Sequence, residues 1–336
     1  MRSQTYPSET APKPVIPNVA IGRDLVGMRD LSPSEVEALF HLTNLVKTRP
    51  EDFRTALAGK HVAMFFEKPS LRTRITFEAG VFGLGGTVSF IDQRQERLDA
   101  RESLSDIAHN LERWVSAIVL RTFAHETVES MAEHACVPVI NALSEVEHPC
   151  QALADYFTLQ EKFGNLKKIT LAYVGDGNNV LHSLLLTAAL LGSNIRIGTP
   201  KNYGPNAQIL ADAREIAKKT GATIELMTDP HKAVRGVDAI YTDAWTSMGH
   251  ERETEERTRI FPPYQVNDEL MAEAAPHAVF MHCLPAHRNE EVTDAVIDSI
   301  QSVVFDQAEN RMHIQKAILM MLVGGKNRLP VRSAHA

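Results

Sequence analysis

The chain has 336 residues and a mass of 37.3 kDa, a length that suggests about two domains. Its hydrophobic content of 44% suffices for full cores, and its formal charge of -7 argues against a general nucleic-acid binder. Three scattered cysteines argue against a disulfide framework, and no apolar run approaches the roughly 18 residues of a membrane-spanning helix. We therefore expect a cytoplasmic protein with no nucleic-acid or membrane partner.

The N-terminal residues, 1–20, are rich in Pro, Ser and Thr and lack the apolar segment of a signal peptide. Such a composition favours a disordered leader. The first helix follows it, because Ser32-Pro-Ser-Glu35 places Ser at the cap and Glu in the first turn. This helix is predicted to run to about Lys47.

A strand-to-helix turn follows in the first half of the chain. The apolar run His61–Phe66 predicts a buried strand. Apolar residues at helical spacing after Ser70 predict a helix that this serine caps and that ends at 83–86. The turn between strand and helix carries Lys68, Ser70, Arg72, Thr73 and Arg74.

Arg72 and Arg74 make this turn a candidate anion site. In mid-helix they would point to nearly opposite sides, but in the first turn both can bend over the helix end. Free backbone amides and the helix dipole favour an anion there, and cations alone would oppose the dipole. The turn therefore predicts a phosphate site rather than a merely solvated basic turn. It is not a nucleotide P-loop, because the G-x-x-x-x-G-K-[ST] pattern is missing.

Strands and helices alternate through the rest of the chain. Further strands are predicted at 86–91, 117–120, 137–143, 168–174, 194–198, 223–227, 238–242, 279–283 and 302–305. Further helices are predicted at 102–114, 148–163, 180–191 and 309–322. Two runs of this alternation predict an α/β fold with two Rossmann-like parallel-sheet domains, a cleft between them and a C-terminal helix closing the chain. We expect the domains at 21–150 and 151–325, followed by a tail at 326–336.

Polar motifs stand at the carboxyl ends of these predicted strands, where open parallel sheets bind ligands. The first domain supplies Arg121 and His148-Pro-Cys-Gln151 in addition to the phosphate turn. The second supplies Asn178-Asn179, 243–249 and 282–285. Their convergence predicts a ligand cleft between the domains, with an anion bound on one wall.

Each motif also allows a simpler interpretation. Arg121 could be a surface residue at a strand end. His148 and Gln151 could cap a helix, or they could donate hydrogen bonds to a carbonyl oxygen as charge develops on it. Asp243 could be an ordinary loop residue or could pair with a ligand ammonium. The sequence Gly175-Asp-Gly-Asn-Asn lacks the third glycine of a dinucleotide fingerprint.

Cys283 could be an inert core thiol or a polar group of the site. A metal site from His282, Cys283 and His287 is conceivable, but no paired ligand motif such as H-E-x-x-H supports it. We therefore predict neither a metal nor a cofactor.

Taken together, these motifs resemble the aspartate/ornithine carbamoyltransferase family, in its ornithine-type branch, from about Val26 to Leu322. The sequence Ser70-Leu-Arg-Thr-Arg74 is similar to the family's Ser-Thr-Arg-Thr-Arg signature for carbamoyl phosphate. The other motifs follow in the family's order and spacing: Arg121-Thr-Phe, His148-Pro-Cys-Gln151, Gly175-Asp-Gly-Asn-Asn179, Asp243-x-Trp-x-Ser-Met-Gly249 and His282-Cys-Leu-Pro-Ala-His-Arg288.

The resemblance implies an enzyme that transfers the carbamoyl group of carbamoyl phosphate to the δ-amine of L-ornithine, giving L-citrulline and phosphate. The implied role is in arginine metabolism, with biosynthesis as the expected direction. Catalysis would rest on positioning and electrostatics, without a metal or an organic cofactor. The resemblance also implies a homotrimer, or a multiple of trimers, with the site at the subunit interface.

The resemblance also assigns site residues. Those implied for carbamoyl phosphate are Ser70, Leu71, Arg72, Thr73, Arg74, Arg97, Arg121, His148, Gln151, Cys283, Leu284 and Arg311. Those implied for ornithine are Asn179, Asp243, Ser247, Met248, Cys283 and Leu284. Direct roles in catalysis are implied for Arg121, His148, Gln151, Cys283 and Arg311.

Two positions depart from the family pattern. Leu71 replaces the usual threonine, so one hydroxyl near the phosphate is lost while the backbone amide remains. Arg97 stands where a loop from the neighbouring subunit usually contributes His or Gln, and it would bring a positive charge instead.

Three other functions fit parts of the pattern. The first is a carbamoyltransferase acting on N-acetylornithine, N-succinylornithine, putrescine or another amine. Such a substrate would leave Asp243 without an ammonium or Asn179 without a carboxylate, so free ornithine is favoured. The second is a non-enzymatic two-domain binding protein, against which the charge-stabilising cluster argues. The third is a nucleotide-linked dehydrogenase.

Overall fold

The computed structural model describes residues 24–93, 98–246 and 254–323. Its strands form two parallel sheets, one with four strands and one with five. Helices follow most of the strands, as parallel connections require. The predicted α/β class with two parallel-sheet domains is confirmed.

The first sheet has the strand order β2-β1-β3-β4. Its helices and strands are α1 (Pro33–Thr48), β1 (His61–Phe66), α2 (Leu71–Gly83), β2 (Thr87–Asp92), α3 (Leu104–Leu111), β3 (Ala117–Arg121), α4 (His125–His134), β4 (Val139–Leu143) and α5 (Pro149–Phe163). The capping box that predicts α1 is present, since the Glu35 backbone N–H donates to the Ser32 hydroxyl and the Ser32 backbone N–H donates to the Glu35 carboxylate.

The second sheet has the order β7-β6-β5-β8-β9. Its elements are β5 (Thr170–Val174), α6 (Asn179–Leu191), β6 (Asn194–Gly198), α7 (Ala207–Thr220), β7 (Ile224–Met227), α8 (Pro230–Val234), β8 (Ala239–Thr242), α9 (Thr254–Ile260), α10 (Asp268–Ala272), β9 (Val279–His282), α11 (Asp294–Ile297) and α12 (Val304–Val323). The strands β5 and β8 are buried through most or all of their length, which explains their continuous apolar sequences.

One predicted strand is wrong. Residues 302–305 do not form a strand of the sheet: Ser302 makes only an isolated bridge to Phe280, and Val304 already begins α12. The prediction failed because the last two residues of this short run already belong to the first turn of a helix, in which Val304 is buried while Phe305 is 73% exposed. The helices α4 and α7 were not predicted from the sequence.

Strand register brings the candidate site residues together. Phe66 of β1 pairs with Arg121 of β3, so the turn that follows β1 lies beside that arginine. In the second sheet Thr242 of β8 pairs with His282 of β9, which places the next residues, Asp243 and Cys283, side by side. Both pairs lie at the carboxyl ends of adjacent parallel strands.

The C-terminal helix α12 returns to the first domain and packs against α1, α2 and α5. Polar contacts fix its position, because Asn310 donates to the Thr158 hydroxyl (2.9 Å) and Lys47 donates to the Asn310 carbonyl (2.8 Å). This packing carries Arg311 into the cleft. Among the helices of the described residues, none has the length and apolar character needed to cross a bilayer.

Candidate active site

The phosphate turn has the predicted cap at the start of α2. The Ser70 hydroxyl accepts a hydrogen bond from the Thr73 backbone N–H (3.2 Å). Arg72 is half-buried, and burial lowers the pKa of its guanidinium. Arg74 instead turns along the helix to pair with Glu78 (2.9 Å) and lies 3.9 Å above the ring of Phe90. In this structure the two arginines therefore make different contacts, and Arg74 would have to leave its own to reach an anion.

Two further arginines, Arg121 and Arg311, are buried beside this turn. The Arg311 side chain donates from Nη2 to the Thr73 hydroxyl (2.7 Å). Within the described part of the chain, the Nε atoms of both arginines lack a hydrogen-bond partner. Burial and the nearby Arg311 lower the pKa of Arg121 to about 9. Two buried cations with donors that no described residue accepts are costly without an anion, so the cluster is suited to bind one.

His148 and Gln151 stand at the start of α5, with Pro149 at its first position. Burial, together with Arg311 and Arg121, lowers the pKa of His148 well below its usual value, so the ring is neutral at physiological pH. Among the described residues, no partner is found for His148 Nδ1 or for Gln151 Oε1, although both atoms are buried. These atoms are free to bind a ligand.

The buried carboxylate of Glu147 is linked to the backbone of His148 by the Ser183 hydroxyl. Glu147 Oε2 accepts hydrogen bonds from the Met28 backbone N–H (2.9 Å) and the Ser183 hydroxyl (3.0 Å). The same Ser183 hydroxyl accepts the backbone N–H of His148 (2.9 Å). Burial raises the pKa of Glu147 from 4.5 to about 7.

This shift predicts a pH-dependent stability that Glu147→Gln removes. A raised carboxyl pKa means that the folded protein keeps a proton which the unfolded chain has released, so wild-type stability falls as the pH rises from about 4.5 to 7. We expect the free energy of unfolding of the variant, relative to wild type, to rise by up to about 3 kcal/mol over that interval and then level off.

Denaturant unfolding at half-unit pH steps measures this difference. Glu37→Gln, on the exposed face of α1, controls for the loss of one carboxylate. A difference between Glu147→Gln and wild type that stays constant with pH would contradict the assignment.

On the second domain, Asp243 is the centre of the polar groups. Its Oδ2 accepts from Asn178 Nδ2 (2.7 Å), and its Oδ1 accepts from the Cys283 thiol (3.1 Å). Asn178 also caps α6. Asn179 reaches across to the first domain and donates from Nδ2 to the Ser144 carbonyl (2.6 Å). Asp243 thus lies in the cleft with its carboxylate held by neutral donors.

The Cys283 thiol is half-buried and protonated. Burial and the Asp243 carboxylate raise its pKa well above the usual value. Its neighbour Leu284 has a φ of 59°, and its backbone N–H donates to His282 Nδ1 (2.8 Å). His282 Nε2 in turn meets the buried Glu291 carboxylate (3.2 Å). The ligand atoms of Asp243, His282 and Cys283 lie within 4.8 Å of one another, but all are engaged in this hydrogen-bonded network.

Some candidate residues fall elsewhere. Leu71 is 76% exposed, so its side chain lies outside the buried cluster. Arg97, Ser247 and Met248 lie outside the described residues. Conversely, the structure adds buried polar residues that motif analysis did not single out, namely Asp155, Gln307, Glu147 and Glu291. The available signal at Asp155 was a carboxylate within the otherwise apolar stretch 152–157 of α5.

Two family models match the chain. Residues 23–161 match the carbamoyl-P binding domain of aspartate/ornithine carbamoyltransferase, and residues 167–322 match its Asp/Orn binding domain. The chain belongs to the aspartate/ornithine carbamoyltransferase family. The resemblance inferred from the motifs is thereby confirmed.

Relatives of this carbamoyltransferase chain match along nearly their whole length. It is 50% identical over 312 residues to an ornithine carbamoyltransferase of Hyperthermus butylicus, covering 92% of this chain and 99% of that protein. It is 48% identical over 306 residues to one of Thermococcus kodakarensis, covering 90% and 97%. A solved structure of ornithine carbamoyltransferase from Pyrococcus furiosus superposes with a TM-score of 0.89 at 46% identity, covering 92% of this chain and all of that one.

Proposed function

We propose that this protein transfers the carbamoyl group of carbamoyl phosphate to the δ-amine of L-ornithine, giving L-citrulline and phosphate. One observation carries the proposal. In a single cleft, the buried Arg121 and Arg311 have Nε donors without a partner among the described residues, and they stand beside the Asp243–Cys283 pair. The arginines fit a phosphorylated, carbonyl-bearing substrate, and the carboxylate fits an amino-acid ammonium. The names of its relatives support the same activity.

Carbamoyl phosphate is proposed to bind on the first domain, residues 21–150. The α2 N-terminus, Ser70, Arg72 and Thr73 would hold its phosphate, with Arg74 joining them after leaving Glu78. Arg121, His148 and Arg311 would donate to its carbonyl oxygen, and Gln151 Oε1 would accept from its amide nitrogen. Cys283 and Leu284 would close the carbamoyl end from the other domain.

Ornithine is proposed to bind on residues 151–325. Asp243 would pair with its α-ammonium, and Asn179 would hold its α-carboxylate after releasing the Ser144 carbonyl. Ser247 and Met248 are proposed to complete this half of the site, and Arg97 is proposed to reach the site of a neighbouring subunit. Since both the ammonium and the carboxylate have a partner, free ornithine is favoured over acylated amines and putrescine.

The reaction needs little beyond positioning and charge. The neutral δ-amine attacks the carbamoyl carbon, and negative charge builds on the carbonyl oxygen, where the buried arginine donors stabilise it. The C–O bond to phosphate then breaks with its electron pair, and the amine releases one proton. Phosphate leaves as an anion already held by cations.

Cys283 is proposed to position groups rather than act as the base. A thiol whose pKa is raised by burial and a neighbouring carboxylate is protonated at neutral pH and donates its proton to Asp243. The departing phosphate is a better acceptor for the amine proton, because it gains charge in the same step.

We also propose a homotrimer, or a multiple of trimers. Leu71, Ile75 and Phe82 lie on one face of α2 and are 76%, 52% and 82% exposed in the single chain. The adjacent β2 is an edge strand with a half-exposed surface. A second subunit would cover this apolar face next to the phosphate turn.

We place the enzyme in the cytoplasm and in arginine biosynthesis, in line with the free thiols of its cysteines and the "anabolic" name of a Pyrococcus furiosus relative.

A turnover assay with carbamoyl phosphate and a panel of amines tests the proposal. The panel holds ornithine, N-acetylornithine, putrescine, lysine and aspartate, and the carbamoylated product is detected directly. We expect citrulline from ornithine, with at least roughly 100-fold lower turnover for amines that lack the α-ammonium or the α-carboxylate. Product from N-acetylornithine or putrescine alone would overturn the assignment of Asp243 and Asn179, and no product from any amine would overturn the enzymatic function.

A further inference from the structure

A fully buried carboxylate, Asp155, lies one helical turn after Gln151 on α5. Its Oδ1 accepts hydrogen bonds from Gln151 Nε2 (2.7 Å) and from Gln307 Nε2 of α12 (2.8 Å). Gln307 in turn accepts the His282 backbone N–H through its Oε1 (3.0 Å). Asp155 is therefore linked to both walls of the cleft. It contacts Gln151 of the first domain directly and His282 of the second domain through the Gln307 amide.

An ionised carboxylate can only accept hydrogen bonds, and this restricts how both amides can be turned. Gln151 must direct its NH₂ group to Asp155, which leaves its carbonyl oxygen facing away. That oxygen, Oε1, is buried and lacks a partner among the described residues. Gln307 must do the same, and its oxygen is then available to His282. Without the carboxylate, either amide could be reversed.

Asp155 is ionised at neutral pH. Burial raises its pKa to about 6, and the hydrogen bonds from Gln307 and Gln151 act in the opposite direction. The nearby Arg311 also favours the charged form. The restriction on the two amides therefore holds at physiological pH.

We propose that Asp155 is a positioning residue that fixes the amide of Gln151 with its oxygen toward the substrate, and thereby makes the site select an acyl phosphate carrying N–H donors. This inference rests on the proposed function, in which the Gln151 oxygen accepts from the amide nitrogen of carbamoyl phosphate. An acyl phosphate with a methyl group in that place has no hydrogen to donate. It would leave the buried oxygen unsatisfied, and that cost is the source of the selectivity.

The competing explanation is that Asp155 only ties α5 to α12. A second buried link does this on the same two helices, because Asn310 Nδ2 donates to the Thr158 hydroxyl (2.9 Å). Thr158→Val removes that link without touching Gln151 and is therefore the matched control for Asp155→Asn.

The experiment compares carbamoyl phosphate with acetyl phosphate, which has CH₃ in place of NH₂. Dissociation constants for both are measured for wild type, Asp155→Asn and Thr158→Val. The asparagine can donate to Gln151 Oε1, so the amide can reverse and present NH₂ groups to the ligand. We expect the wild-type preference for carbamoyl phosphate to fall roughly tenfold in Asp155→Asn and to persist in Thr158→Val, even if both lose thermal stability.

The outcomes separate the inference from the proposed function. If wild type does not bind carbamoyl phosphate, the proposed function fails. If wild type binds carbamoyl phosphate no better than acetyl phosphate, the proposed selectivity is overturned. If wild type discriminates and Asp155→Asn discriminates equally well, or if Thr158→Val loses the preference to the same extent, the positioning role is overturned. Should Asp155→Asn not fold, Gln307→Met supplies the test. It spares the Asp155–Gln151 contact, so the preference must persist while the KM for ornithine rises, and loss of the preference would overturn the role.

Discussion

Arg121→Met is expected to lower kcat by roughly 10²–10³-fold while leaving the folded protein no less stable. Arg121 ends β3 with its guanidinium buried beside Arg311, and its Nε has no hydrogen-bond partner among the described residues. In the proposed reaction it donates to the carbonyl oxygen as charge develops there. Methionine has a similar length but offers no donor and no charge.

The stability prediction separates a catalytic role from a structural one. Burial and the neighbouring Arg311 both lower the pKa of Arg121, and the effect of Arg311 is the repulsion between two buried cations. Removing one of them relieves that repulsion, and replacing a buried ion by an apolar side chain of similar volume is often neutral or stabilising. We therefore expect an unchanged or higher free energy of unfolding.

Steady-state kinetics and denaturant unfolding measure both effects. Arg113→Met is the matched control, because Arg113 lies after α3 in the same domain and is exposed. It should keep wild-type turnover. An Arg121→Met protein that turns over normally, or one that loses activity only through unfolding, would refute the assigned role.

Asp243→Asn is expected to lower kcat/KM for ornithine by roughly 10²–10³-fold, with little change in the KM for carbamoyl phosphate. The carboxylate stands at the end of β8, between the Asn178 amide and the Cys283 thiol. Both neighbours are neutral, so its charge is available to a ligand ammonium. Asparagine has nearly the same shape and removes that charge.

Comparison of ornithine with 5-aminopentanoate isolates the contact with the α-ammonium. The second compound keeps the reacting amine and the carboxylate but lacks the α-amino group. Wild type should prefer ornithine strongly, and Asp243→Asn should lose most of that preference. Asp238→Asn, at the other end of β8, is the control, because its carboxylate contacts the Thr170 backbone and His277. If both aspartate variants lowered ornithine turnover equally, Asp243 would have no specific role.

Local sequence patterns were sufficient for most of the secondary structure. The predicted strand at His61–Phe66 and the one at Asn194–Gly198 have the observed bounds, and Ser70 caps α2 as its position predicts. The signals of these features are local, namely an apolar run for a strand and a capping residue for a helix, so the sequence records them even though the strands pair with distant residues. The predicted strand at 302–305 failed because its three consecutive apolar residues, Val303 to Phe305, fit a buried strand and the start of a helix equally well.

For the candidate site too, some features could be predicted from the sequence and others are set only by the fold. The residue types of the phosphate turn, Arg121 and Asp243 were visible in the sequence, since each stands at the end of an apolar run that reads as a strand. The contacts of Arg74 were not, because Glu78 and the Phe90 ring compete for its guanidinium, and only the folded arrangement decides the outcome.

By itself, the sequence determined the alternation of strands and helices, the two-domain α/β class and the family to which the chain belongs, because all three are recorded in short-range patterns and motifs. The tertiary structure alone decided which charges meet. Arg311 reaches Thr73 across 238 residues, and Gln307 reaches Asp155 across 152, only because α12 folds back onto the first domain. No local periodicity encodes that return, since it is the burial of α12 against α1, α2 and α5 that sets it.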